Sequence, residues 1–263
     1  VRRSRAVLNQ FLAKTTVMAI KLDLIPHASD GHNSFVRTPS LNWPPFTSPS
    51  IAGGGMSSVI VKEALGHEGY KVNVEFESWG DAIARAEQTD EVAGYFPAYY
   101  SEARVSKCLF SDVIGTSMVG FAVRKGERYD TSITGLSDRT VGVVSDYANE
   151  DQFDKAVAEG KIPVLESPDD VKNMQQLLEG NVDLAVIDNR VMNYLMVNDS
   201  VLSSYRTKVK FDPRGLKMHG LYVCFTGPKS EEYAAALARG LKALDPMGFG
   251  LANDPMYKDQ LKK

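Results

Sequence analysis

GYFPAYYSEARVSKCLFSD, residues 94–112, decides how the rest of the chain is read. Gly94-Tyr95-Phe96-Pro97 reads as the end of a buried strand, because proline cannot continue a central ladder. Ser101-Glu102-Ala103-Arg104 then predicts the first turn of a short helix, capped by the Ser101 hydroxyl. A strand that ends beside a helix start is where α/β sheets leave a ligand crevice. Free backbone N–H groups there favour an anion, and the planar fork of Arg104 fits a carboxylate. Taken alone, the stretch favours a plainer reading, a surface arginine beside tyrosines that pack a lobe.

The chain has 263 residues, enough for one large domain or two small lobes with a sizeable core. Its 43% hydrophobic and 24% charged residues are ordinary for a globular protein. A net charge of −3 gives no reason to expect nucleic acid as a partner. No run of about 18 apolar residues is present to cross a membrane as a helix. Cys108 and Cys224 match no metal spacing. Two buried free thiols are expected, although an oxidising compartment would permit a disulfide. His27, His32, His67 and His219 form no HExxH, and there is no GxSxG elbow, Walker spacing or GxGxxG. The expectation is a protein that is no enzyme and needs no cofactor or metal.

Residues 1–33 are an uncertain N-terminal segment. Arg2, Arg3 and Arg5 resemble a signal n-region, but Asn9, Gln10 and Lys14 interrupt the apolar stretch that should follow. Poor order is expected there. Beyond it the chain alternates strands and helices. A first strand falls within 34–42, and Trp43-Pro44-Pro45-Phe46 sets an extended turn that holds the indole in place. Gly53-Gly54-Gly55 opens a helix that Gly66 should end. Val72, Val74 and Phe76 alternate as a strand, and Ser78-Trp79-Gly80-Asp81 leads into a helix. Thr140–Val144 is a strand, followed by the turn Ser145-Asp146-Tyr147-Ala148-Asn149. Ser167-Pro168-Asp169-Asp170 is a helix start rich in acids, and Gly180 stops that helix. Val182–Asp188 is a nearly continuous apolar strand, as expected where both faces are covered. Leu221–Phe225 is a return strand, and Glu231–Leu244 is a final helix followed by a short helical tail.

The order strand, aromatic turn, Ser101-Glu102-Ala103-Arg104 and Leu109-Phe110-Ser111-Asp112 resembles the T-x-x-R … F-S-x-P-Y signature of family 3 solute-binding proteins, over residues 40–263. The resemblance implies a two-lobed, type II periplasmic-binding α/β fold with a ligand cleft and two hinge crossings. It implies lobe 1 at 34–118 plus 222–263 and lobe 2 at 123–217. It further implies a periplasmic monomer that binds a small polar amino acid for an ABC transporter permease. Arg104 would take the ligand's carboxylate and Asp188 its ammonium, with Trp43, Trp79, Tyr99, Tyr100 and Tyr147 walling the pocket. Asp188 also reads as the N-cap of the next helix, and both roles are compatible. Tyr147 and Ala148 stand where the family has small hydroxyl residues, so the exact ligand stays open. The same fold serves as a sensor module and, in a few cases, as a dehydratase, for which Glu102 and Asp146 are the nearby candidate acids.

Overall fold

The computed structural model describes residues 34–244, apart from 213, 215 and 216. The expectations for 1–33, including His27 and His32, and for the tail after Leu244 lie outside the described residues. β1 (Phe35–Ser40) and β2 (Lys71–Phe76) pair in parallel, joined by α1 (Met56–His67). Phe35 and Arg37 are exposed on β1 while Val36 and Thr38 are buried, a period-2 alternation that ends at the buried Pro39 and Ser40. α1 runs through Gly66 to His67, one residue past the glycine expected to end it, because an exposed helix end tolerates glycine. α2 (Trp79–Gln88) starts where Ser78 Oγ accepts the Asp81 N–H at 3.2 Å.

β3 (Gly94–Tyr99) is buried along its whole length. It does not stop at Pro97. Tyr95 lies opposite Cys224 and Ala98 opposite Tyr222, so Phe96 and Pro97 together face Val223. That bulge is how the ladder accommodates a residue without an N–H. Gly94 is the residue that lets β3 begin so close to the facing strand, since a Cβ there would strike the Cys224 carbonyl. After β3 come α3 (Glu102–Val105), β4 (Leu109–Phe110) and the long β5 (Gly115–Arg124). Ser101 precedes α3 but makes no capping hydrogen bond through its hydroxyl. Its carbonyl instead accepts the Arg104 N–H at 3.1 Å, as suits a helix of a single turn.

The second set of elements is β6 (Val141–Val144), α4 (Asp151–Ala158), β7 (Val164–Ser167), α5 (Asp170–Glu179), β8 (Leu184–Asp188), α6 (Asn189–Asn198) and β9 (Val209–Asp212). β10 (Met218–Phe225) and α7 (Ser230–Leu244) complete the described chain. α7 returns to α1, where Gly240 seats against the Ala64 carbonyl so closely that no Cβ fits.

The larger sheet runs β3-β10-β5-β8-β6-β7, with β4 on β10 and β9 on β5. Its two long strands change partners midway. Gly115–Met118 of β5 pair with β10, whereas Val119–Val123 pair with β8. On β10, Met218–Leu221 pair with β5, and the remainder pairs with β3 and β4. These partner changes are the two crossings of a two-lobed α/β fold. One layer of apolar side chains continues through both, from Phe46 and Tyr95 to Phe121 and Phe153.

The cysteines correct the expectation of free thiols. Cys108 and Cys224 form a disulfide, with Cα atoms 5.4 Å apart across 116 residues of sequence. β4 lies along the end of β10, with Phe110 opposite Cys224, and this brings Cys108 within reach. Neither β4 nor β9 is anticipated from the sequence, so the pairing that joins the cysteines was out of sight.

Candidate functional site

Five of the seven sequence-selected residues meet in one cleft. Trp43, Trp79, Tyr99, Arg104 and Tyr147 line a narrow cavity of about 20 Å³, together with Leu41, Pro97 and Ala148. Trp43 enters from the turn after β1, where the Phe46 N–H donates to its carbonyl at 3.0 Å. Its indole stacks on Phe46 at 4.5 Å and meets Tyr99 edge-on at 5.8 Å. Trp79 is fixed by the α2 cap and by an edge contact with Tyr95 at 5.4 Å. Tyr147 follows β6 across the cleft.

Arg104 is held by groups from both sides. Its Nη1 donates to the Tyr99 carbonyl at 3.1 Å and its Nη2 to the Asp146 carbonyl at 3.4 Å. The guanidinium also sits 5.7 Å from the Trp79 ring centre, a cation–π position. Burial pulls its pKa below the usual value, with the charges of the neighbouring acids acting against that. A guanidinium has five donors, so these two carbonyls leave capacity for a carboxylate. Asp146, whose carbonyl meets it, has a left-handed backbone with φ of 64°, a conformation that aspartate tolerates.

The other two residues lie elsewhere. Tyr100 is 48% exposed and packs near Phe110, with ring centres 5.1 Å apart. Asp188 is buried at 3% exposure and does not line the cleft. Its Oδ1 caps α6, accepting from Arg190 N at 2.7 Å and Val191 N at 3.0 Å, while Oδ2 accepts from the Ser117 hydroxyl. Ser117 has committed its proton, so the Tyr99 hydroxyl donates to Ser117 Oγ, 2.6 Å away. Asp188 thus reaches the cleft through two hydroxyls. Burial raises its carboxyl pKa, opposed by these donors. Tyr99 also stacks on His219 at 4.4 Å, and burial holds that imidazole down to about 4.

One residue that sequence reasoning passed over completes the site. Asp170, the first residue of α5, is 6% exposed and lines an adjoining cavity of about 350 Å³. Leu41, Trp79 and Tyr147 wall both cavities. The Tyr147 hydroxyl donates to Asp170 Oδ2 at 3.1 Å. Burial pushes the Asp170 carboxyl up to about 7, Tyr147 acts against that, and the charge of Asp188 adds to it. The doublet Asp169-Asp170 was its signal. Only Asp169 is needed as the cap, accepting Lys172 N at 2.8 Å.

No protein-family model matches the chain, and no curated protein matches it. Solved structures do. An ancestral arginine-binding protein bound to arginine superposes with a TM-score of 0.68 at 21% identity, covering 82% of this chain and 94% of that one. A histidine kinase sensor domain with similarity to periplasmic binding proteins gives 0.70 at 17%, covering 88% and 95%. The substrate-binding protein of an amino acid ABC transporter gives 0.65 at 15%, covering 82% and 95%. At such identities the likeness establishes the fold, and that fold agrees with the resemblance to family 3 solute-binding proteins: the chain has the two-lobed, type II periplasmic-binding-protein architecture.

Proposed function

We propose that this chain is a periplasmic solute-binding protein of an ABC importer that closes two lobes on a small amino acid or related carboxylate. The observation that carries the reading is Arg104, a partly buried guanidinium with unused donors among four aromatic side chains in a cleft. An isolated buried charge is costly, and a carboxylate supplies the matching bidentate partner. The disulfide supports an oxidising compartment. In this reading lobe 1 is 34–118 with 222–263, lobe 2 is 123–217, and the protein works as a monomer with a permease. The ammonium goes to Asp188 only if the ligand displaces the Ser117 hydroxyl from it.

A sensor module is the second reading, favoured by the likeness to a kinase sensor domain. A dehydratase reading draws no support from Glu102 and Asp146, which are both exposed, and would rest on the buried Asp170 carboxyl instead. Thermal-shift screening against amino acids and small carboxylates, followed by calorimetry, tests the proposal. Arg104→Ala should weaken the best ligand by about 30-fold or more, the range for truncating a buried charged pair. Unchanged affinity would make Arg104 structural. Product release above a buffer blank from a prephenate-like substrate would favour the enzyme reading instead.

A further inference from the structure

We propose that Asp170 is the carboxylate that receives a ligand's cationic nitrogen, an ammonium or a guanidinium, at the end of the cleft opposite Arg104. The inference rests on the binding-protein reading and extends it to a class of ligand. Asp170 is 6% exposed, and among the described residues no cation lies within ion-pairing distance of it. Its other acidic neighbours on the cavity are already engaged: Glu77 pairs with Arg85 at 3.3 Å, and Asp169 caps α5. The Tyr147 hydroxyl is its hydrogen-bond donor.

A second observation points to a ligand. Trp43 is 5% exposed, and its indole N–H is turned toward the Asp170 carboxyl, favouring the charged form without closing a well-formed hydrogen bond. A buried donor and a buried carboxylate on one wall, neither fully met by the protein, are a costly arrangement for a fold to keep empty. The walls between Arg104 and Asp170 are Leu41, Trp79 and Tyr147. Opposite charges at the two ends of an aromatic wall suit a molecule with a carboxylate at one end and a cationic nitrogen at the other. Aromatic faces along the way add cation–π attraction. Asp188 fits the cation less well, since its oxygens already accept three hydrogen bonds.

Calorimetric titration with L-arginine and with agmatine, its analogue without the carboxylate, tests this. The parent should bind both, and Asp170→Asn should weaken both by about tenfold or more. Arg104→Ala should weaken only L-arginine. A parent that takes up neither compound overturns the inference, as does an Asp170→Asn protein that holds L-arginine as tightly as the parent. If Asp170→Asn keeps L-arginine while Arg104→Ala loses it, the carboxylate reading stands and this one falls. The reverse pattern keeps Asp170 and removes the Arg104 clamp.

A pH series on the parent gives a measurement that needs no variant. The titratable groups around Asp170 are Asp169 on its own helix, Asp188 from β8, Tyr147 and Tyr99, with Glu77 on the facing wall. With the Asp170 carboxyl at about 7, agmatine affinity should rise about tenfold from roughly pH 6 to pH 8. A flat profile rejects the assignment.

Discussion

Gly80, in the first turn of α2, lies against the Asp146 side chain, and a Cβ placed on Gly80 would sit 2.7 Å from Asp146 Oδ2. The same residue's carbonyl accepts from Arg104. One residue of the β6–α4 turn therefore meets two elements of the facing wall, and the structure is that of a closed cleft.

Gly80→Val should prop that cleft open. The carboxylate of Asp146 can swing away from one added carbon, but two branches at Cβ leave it no room without lobe movement. Small-angle scattering should report a larger radius of gyration. Ligand affinity should fall by about tenfold, the reduction expected when the binding-competent state becomes a minor population. Equal scattering curves and equal affinity would show that the contact does not limit closure.

Asp170 and His219 give the stability of the fold opposing pH dependences. The folded protein keeps the Asp170 proton up to about 7, whereas the unfolded chain releases it near 3.8, so this group makes stability fall as pH rises through that window. His219 stays neutral down to about 4 in the folded state but protonates near 6.5 when unfolded, so it makes stability fall as pH drops. Each contributes roughly 3–4 kcal/mol at most, and between these limits they offset one another. Asp170→Asn should leave a stability that rises with pH, and His219→Gln one that falls. Denaturant melts at several pH values decide; parallel profiles for parent and variants would show that neither group titrates as described.

The Cys108–Cys224 disulfide closes a loop of 116 residues. Restricting so long a loop in the unfolded chain stabilises the fold by about 2–4 kcal/mol. Cys108→Ser with Cys224→Ser should lose about that much in a denaturant titration, and reductant should no longer shift the midpoint. A double variant as stable as the oxidised parent would leave the bond without a stabilising role.

Ser117 links the cleft to the buried Asp188. Ser117→Ala removes a donor from Asp188 and the acceptor from Tyr99, and should cost about 1–3 kcal/mol. Thermal melts of the variant measure it; an unchanged midpoint would mean that water or another group replaces the hydroxyl fully.

Much of the architecture was legible where a local rule and the fold agree. Ser78, Asp169 and Asp188 each precede a helix, and each caps it. The apolar run ending at Asp188 is a strand buried on both faces. Arg104 was found through its motif, since nothing in a four-residue helix distinguishes it by periodicity. What escaped depends on long-range register. β4 has two residues and β9 four, too short to carry a pattern. The cysteine pairing requires knowing that β4 lies on β10. Asp170 was masked by its neighbour, because one rule for helix starts accounted for both acids while only one of them serves as the cap.

The partner changes along β5 and β10 also dictate an order of assembly. β6, β7 and β8 with their helices come from the continuous segment 141–188 and can form from local contacts alone. Among the described residues β3 ladders with β10 alone, which arrives more than a hundred residues later. Local contacts form sooner than distant ones, because closing a long loop costs chain entropy first. The lobe synthesised first is thus the last to be completed, and the cleft is shaped against a half that is already folded. Pulse-labelled hydrogen exchange during refolding should protect the amides of β6 and β8 before those of β3. Simultaneous protection would mean that the two halves fold as one cooperative unit.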